Sequence, residues 1–200
     1  MLENIHVIVL AAGDGSRFKQ AGGVLDKLQA PLAGMTVRAH VLAAVHASGL
    51  PHHIVEREHL SHIKNPGMAD SIACGVAATR GALGWLILPA DLPLIQAATL
   101  QQVATQLKNI SSPNINSCCV VRPVYQGQQG HPVGFSNACL NDLLNITGDQ
   151  GAKSVVERHQ AIYLPVNDPG CVMDVDTPAL LALAEQFMAA KNLAIQTDSK

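Results

Sequence analysis

The chain has 200 residues, 48% of them hydrophobic and 14% charged, long enough to bury a sizeable core and too apolar for a disordered polypeptide. Its 13 Lys and Arg nearly balance 15 Asp and Glu, for a formal net charge of −2 without a basic run, which argues against nucleic acid as a partner. No apolar stretch reaches the roughly 20 residues of a membrane span, and the five cysteines show no C-x-x-C spacing; an odd count without a secretory-type leader reads as reduced thiols in a cytoplasmic protein.

In chain order, apolar runs alternate with helical periodicity, the pattern of a parallel sheet covered by helices. Residues 5–10 predict a central strand, which stops abruptly at a loop of small residues, Gly13, Gly15 and Arg17. Glycine lets a backbone approach an anion closely, loop amides then point at it, and an arginine adds a planar donor fork. Residues 37–47 read as a helix with Val37, Val41, Ala44 and Val45 on one face. A short strand is expected at 53–56, a helix at 70–80, a buried strand at 85–88 closed by Leu92-Pro93, and a helix at 97–107. A polar turn at 111–116 precedes a strand at 118–121, and the Gly- and Gln-rich stretch 125–130 reads as a mobile loop. Helices are expected at 137–144 and 152–159 and a strand at 161–166. Thr177-Pro178 has the form of an N-cap with proline at the first helical position, opening a helix at 179–190. Residues 191–200 are polar and read as a frayed tail of a single domain spanning 1–200. The expected fold is therefore α/β: a Rossmann-like, doubly wound, mostly parallel sheet with helices on both faces.

In open sheets of this kind ligands bind beyond the carboxyl ends of the strands. Four candidate groups fall at such ends: the loop 11–17, Asp91, the Gly130-His131-Pro132 turn, and Asp174 with Asp176. The loop matches neither G-x-x-x-x-G-K-[ST] nor G-x-G-x-x-G, since Phe18 stands where the third glycine belongs; this disfavours a Rossmann oxidoreductase. Asp91, between an apolar strand and Pro93, suits Mg²⁺, which takes one or two carboxylates alongside substrate phosphates. Asp174 and Asp176 are expected to diverge, one facing the cleft and the other capping the last helix. His52, His53, His59 and His62 cluster in sequence without a firm third ligand type and read as solvated surface. Cys118-Cys119, Trp85 and Phe135 read as core.

The run Leu10-Ala11-Ala12-Gly13-Asp14-Gly15-Ser16-Arg17-Phe18, followed by Lys27, resembles the signature of nucleotidyltransferases that activate phosphorylated small molecules. Asn65-Pro66-Gly67-Met68-Ala69-Asp70-Ser71-Ile72, Pro89-Ala90-Asp91-Leu92-Pro93, Gly130-His131-Pro132-Val133, Thr147-Gly148-Asp149-Gln150-Gly151-Ala152-Lys153 and Asp174-Val175-Asp176-Thr177-Pro178 are similar to pieces of one branch, the molybdenum cofactor cytidylyltransferases. They occur in the family's order across nearly the whole chain.

The resemblance implies a Mg²⁺-dependent enzyme moving CMP from CTP onto the phosphate of a molybdopterin-type acceptor, with pyrophosphate released. It also implies a molybdoenzyme or its maturation chaperone as a partner. By that likeness Leu10, Ala11, Ala12, Gly13, Gly15 and Ser16 wrap the nucleotide, with Ala12 and Ser71 on the base and ribose side. Arg17 and Lys27 face the phosphates, Asp91 and Asp176 hold the metal, and His131 and Asp149 fall toward the second substrate. The alternatives are the same chemistry on another phosphorylated compound, such as a sugar phosphate, and a non-catalytic nucleotide or molybdopterin binder. Three features depart from the family pattern: Lys19 in place of a glycine with a long Arg17-to-Lys27 spacing, Ala90 in place of a glycine, and a segment 54–65 too short for a strand, helix and strand.

Overall fold

The computed structural model describes residues 4–110, 118–148, 151–159 and 161–198; the expected turn at 111–116 and Asp149 lie outside them. Strand β1 (Ile5–Leu10) sends Val7 and Val9 into one core cluster and Ile8 into another. Its neighbour β5 (Gly84–Pro89) does the same, Leu86 and Leu88 on one side and Trp85 and Ile87 on the other. Continuous apolar runs are what a strand buried on both faces requires. One face is covered by α2 (Val37–Ser48), α4 (Ala97–Ile110) and α7 (Pro178–Asp198) through Val41, Val45, Leu100, Val103, Leu107 and Ala184. The other is covered by α3 (Met68–Ala78), α5 (Leu140–Leu144) and α6 (Lys153–Arg158) through Ile72, Val76, Leu143 and Val155.

The sheet order is β4 (His52–Val55), β1, β5, β8 (Val133–Ser136), β6 (Val120–Tyr125), β7 (Gln128–Gln129), with β9 (Ile162–Pro165) also paired to β6. β4, β1 and β5 pair in parallel, as do β6 and β9, while β8 runs antiparallel to both β5 and β6. A small antiparallel ribbon of β2 (Pro31–Leu32) and β3 (Met35–Thr36) leads into α2. The mostly parallel, two-faced architecture is the one expected.

Several local expectations hold because their signals are local. The Thr177 hydroxyl accepts from the Leu180 amide at 3.2 Å, the cap read from Thr177-Pro178. Ala90 is not among the residues with positive φ, so the position does not demand glycine. The short segment after β4 is explained as well: it holds only a 3₁₀ turn at Arg57–Leu60, and α3 alone carries the crossover from β4 to β5.

Other expectations fail. The stretch 125–130 is a hairpin, not a mobile loop: Tyr125 pairs with Gln128, and Gln126 (φ 47°) and Gly127 (φ 82°) make the two-residue turn. Positive φ at both central residues matches the twist of a tight hairpin. Strand β8 went unread, its four residues being too short for a period. Cys118 and Cys139 form a disulfide, against the expectation of reduced thiols. Helical backbone continues to Asp198, past the expected end at 190. The His53 and His59 rings lie 5.8 Å apart, with His59 Nδ1 accepting from the Glu56 amide at 3.0 Å. Among the described residues these histidines join no three-ligand cluster.

Candidate active site

β1 delivers the chain to Ala11 at the carboxyl edge of the sheet, and Gly15 turns it in the left-handed region (φ 64°, ψ 26°) into α1 (Ser16–Gln20). Only glycine takes that conformation cheaply. The Asp14 carboxylate accepts from the Ser16 amide at 3.0 Å, which holds the Asp14 carboxyl below its ordinary value. The long spacing to Lys27 is absorbed by a closed loop: Phe18 is buried, and the Gly23 amide donates to the Phe18 carbonyl at 2.9 Å. A Cβ at Gly23 would fall 2.1 Å from the Phe18 ring, so the return of the chain needs glycine. Asp26 then accepts from the Leu28 amide at 2.9 Å and opens the 3₁₀ turn that begins at Lys27.

Lys27 Nζ donates to Asp91 Oδ2 at 2.6 Å and to Asp176 Oδ1 at 2.7 Å, and Arg17 Nη1 donates to Asp176 Oδ2 at 2.6 Å. These residues come from four separate stretches of chain. Burial alone would lower the Lys27 pKa, but the two carboxylates outweigh it and raise the ammonium above its ordinary value. Burial likewise opposes ionisation of Asp176, and Lys27 and Arg17 reverse this, holding its carboxyl low. Among the described residues Asp174 has no such ion pair, and burial, then Asp176 and Asp91, push its carboxyl up.

All of them line a cavity of ≈ 450 Å³ together with Gly13, Gly15 and Ser16. Asp174 and Asp176 both face it, which corrects the expectation that they diverge. Residues two apart in an extended segment share a side; Val175 between them is buried, and its amide donates to the Asp91 carbonyl at 2.9 Å. An ammonium bridging two carboxylates occupies the kind of place a divalent cation takes, and three carboxylates are hard oxygen donors suited to one. The residues present therefore fit a divalent metal.

His131 stands partly buried beside Ile87 just before β8, its Nδ1 atom buried and unpartnered among the described residues. Burial and the nearby Arg122 hold its pKa down at about 4, so the imidazole is neutral at pH 7. Gly130 before it fits closely: a Cβ there would fall 2.5 Å from the Cys171 carbonyl oxygen. Arg122 Nε donates to the Gly130 carbonyl at 3.2 Å, and its Nη1 to Gln129 Oε1 at 2.8 Å. A second cavity of ≈ 750 Å³ opens beyond, walled by Leu10, Ile72, Val133, Phe135 and Val156, with Arg122, Lys153, Glu157 and Tyr163 as polar groups. Met68, Pro89, Gln129 and His131 line both cavities.

Of the expected site residues, Gly13, Gly15, Ser16, Arg17, Lys27, Asp91, Asp176 and His131 line the first cavity, and Leu10 lines the second. Ala11 and Ala12 pack against opposite core clusters. Ser71 lines neither cavity; its hydroxyl donates back to the Gly67 carbonyl at 3.3 Å. Sequence reasoning missed Arg122, Gln129 and Met68. A lone cation within the apolar run of β6 was the one available signal, because a charge there needs a partner or a ligand.

The family model described as "MobA-like NTP transferase domain" matches residues 7–162. Among curated relatives, a bifunctional protein GlmU of Paramagnetospirillum magneticum is 30% identical over 91% of this chain and 41% of its own length. A GlmU of Stenotrophomonas maltophilia is 32% identical over 53% of this chain and 26% of its own length, so the chain spans well under half of these relatives. The purine catabolism protein PucB of Bacillus subtilis is 26% identical over 91% of this chain and 96% of its length. Among solved structures, Rv0371c of Mycobacterium tuberculosis superposes with a TM-score of 0.70 at 24% identity, covering 92% of this chain and 98% of its own; a related structure of Rv0371c is a complex with manganese. The molybdopterin-guanine dinucleotide biosynthesis protein A of Archaeoglobus fulgidus superposes at 0.68 with 17% identity, covering 92% and 99%.

Proposed function

Because the chain belongs to the MobA-like NTP transferase family, we propose that it transfers a nucleotidyl group, CMP from CTP, onto the phosphate of a molybdopterin-type acceptor. The observation that carries this reading is the pairing of two adjoining cavities. One holds the glycine loop, two cations and four carboxylates; the other is walled mainly by apolar side chains. An acidic and cationic pocket suits a metal–triphosphate, and an apolar pocket with a few polar groups suits a flat heterocyclic acceptor better than a polyhydroxylated one.

In the proposed reaction an acceptor phosphate oxygen forms a bond to the α-phosphorus of CTP. The α–β bridging bond breaks and pyrophosphate leaves with its electron pair. The acceptor phosphate is already anionic, so no strong base is needed and catalysis rests on positioning and charge neutralisation. Asp91 and Asp176 would hold a divalent ion, with Asp174 beside them. When bound, that ion supplies Lewis-acid charge neutralisation at the phosphate oxygens. Lys27, released from the carboxylates, moves its charge to the phosphates. Arg17, with its side chain 79% exposed, swings off Asp176 toward the leaving group at little cost. Neutral His131, at the seam of the cavities, orients the acceptor without adding charge.

Pyrophosphate release with each of CTP, GTP, ATP and UTP against molybdopterin and a panel of sugar phosphates tests the proposal. Turnover with CTP and molybdopterin is expected. Turnover only with a sugar phosphate overturns the acceptor, and nucleotide binding without pyrophosphate release overturns the enzyme reading.

A further inference from the structure

On the face of the sheet covered by α5 and α6, Cys118, Asp142 and His159 bring three ligand atoms within 4.8 Å of one another. Cys118 stands just before β6, Asp142 lies on α5, and His159 follows α6. His159 Nε2 lies 2.5 Å from Asp142 Oδ2, and both side chains are only partly exposed. Cys139, the disulfide partner of Cys118, has its Cα 4.8 Å away, at the end of the turn preceding α5. One sulfur, one imidazole nitrogen and one carboxylate oxygen therefore meet at one place, and the Cys139 sulfur, bonded to that of Cys118, can supply a fourth ligand once the disulfide opens. With Cys139 added, that makes a tetrahedral set of the kind zinc takes, with Zn–S of about 2.3 Å and Zn–N of about 2.0 Å. None of these groups belongs to the two cavities described above.

We propose that, with the disulfide reduced, Cys118, Cys139, Asp142 and His159 form a thiol-gated Zn²⁺ site. In the oxidised state both sulfurs are bonded to each other, and the site is closed. A dithiol reductant opens it: one reductant thiolate attacks a cysteine sulfur and breaks the S–S bond. The second reductant thiol then displaces the mixed disulfide. Two electrons pass to the cysteine sulfurs, the reductant leaves as its own cyclic disulfide, and the cysteines take up two protons. Binding Zn²⁺ releases those two protons, because the ligands are thiolates. The sulfurs must then part to roughly 3.8 Å, the edge of a tetrahedron with those bond lengths. Asp142 Oδ1 already accepts from Arg158 Nη1 at 2.8 Å, which orients the carboxylate, so a metal would enter between Oδ2 and its present partner, His159 Nε2.

The site sits behind the second cavity. Lys153 and Val156 of α6 line that cavity, and His159 ends the same helix. A bound ion ties this wall to α5 and to the root of β6, while the disulfide alone joins only the latter two.

The test uses the full chain, reduced with dithiothreitol that is then removed without air, and titrated with Co²⁺ and Zn²⁺. One equivalent of Co²⁺ should give tetrahedral d–d bands with a sulfur-to-cobalt charge-transfer band, and Zn²⁺ should bleach both. The oxidised chain should show no charge-transfer band; it keeps the thiols of Cys74, Cys119 and Cys171, the last lining the first cavity, so it controls for cobalt bound at any of them. His159→Gln and Asp142→Asn, checked for native circular dichroism, should each weaken Zn²⁺ binding at least tenfold. Absence of the band in the reduced chain overturns the site, as does unfolding on reduction. Unchanged affinity in both variants overturns the ligand set.

Discussion

Replacing Lys27 with methionine tests the arrangement on which the site depends. The side chain keeps its length and loses its charge, so the Asp91 and Asp176 carboxylates, 15% and 19% exposed, lose the ammonium that bridges them. Breaking a fully buried pair costs about 3–5 kcal/mol, chiefly through the charges left behind. Here the carboxylates keep some water and Asp176 keeps Arg17, which brings the expected loss to about 2–3 kcal/mol. For a chain of this size that is a fall in Tm of about 4–12 °C. A divalent cation should reverse the effect. It binds the folded state only, and stabilises by about 2.7 kcal/mol at a hundredfold excess over its dissociation constant. Since Lys27 no longer competes for the carboxylates, Mg²⁺ or Mn²⁺ should raise Tm more in Lys27→Met than in the unmodified chain. Differential scanning fluorimetry with chelator and with 10 mM-scale metal reads both effects. A loss below about 1 °C in chelator, or an equal metal response in the two proteins, would refute the view that Lys27 holds the place of a metal.

Three further outcomes follow from the geometry. Asp174→Asn should stabilise the fold at pH 7 and leave it unchanged at pH 3: the folded pKa lies above the ordinary 3.8, so the carboxyl is tolerated when protonated and penalised as pH rises through that raised value. Urea unfolding at the two pH values checks it. His131 has a folded pKa of about 4 against 6.5 unfolded; between those values the unfolded chain binds the extra proton, so stability climbs with pH from 4 to 6.5 and is then flat for this group. The gap is worth about 3 kcal/mol, and the difference in unfolding free energy between His131→Gln and the unmodified chain should change with pH in that window and nowhere above it. Gly130→Ala places a Cβ 2.5 Å from the Cys171 carbonyl oxygen and 2.7 Å from its Sγ. The loss expected from such overpacking is about 1–3 kcal/mol, measurable as a lowered urea midpoint.

What the sequence showed best was carried by neighbours in the chain. The two-sided apolar run of β1, the Thr177-Pro178 cap and the glycine-rich turn after Leu10 each declare themselves within a few residues. Lys27, Asp91 and Asp176 were named by likeness, but their mutual hydrogen bonds were not legible, because 64 and 149 positions separate the partners. The histidine reading as surface agrees with the exposure of His52, His59 and His62, while the cysteine reading failed, and sequence distance misleads in both cases. His52, His53, His59 and His62 are close in sequence yet build no three-ligand set among the described residues, whereas Cys118, Asp142 and His159 are far apart and meet. Arg122 offered only its lone charge in an apolar run, and its contact with Gln129 was not legible because it depends on a hairpin that compositional reading took for a loose loop.

The reversed strand β8 is the step from which the rest of the site follows. His131 was expected at the carboxyl end of a strand, yet it precedes one. Because β8 runs antiparallel between β5 and β6, its beginning lies where β5 ends, and β5 ends at Pro89, two residues before Asp91. A parallel strand in that place would have carried the Gly130-His131-Pro132 turn to the opposite edge of the sheet. The insertion puts the partly buried, neutral imidazole between the cavity of carboxylates and the apolar one, and it leaves no room for a Cβ at Gly130, whose neighbour Cys171 belongs to the turn leading to Asp174 and Asp176. For a reaction in which one phosphate must attack another, a neutral group at that seam is the arrangement that adds no further repulsion, and one reversed strand is enough to place it there.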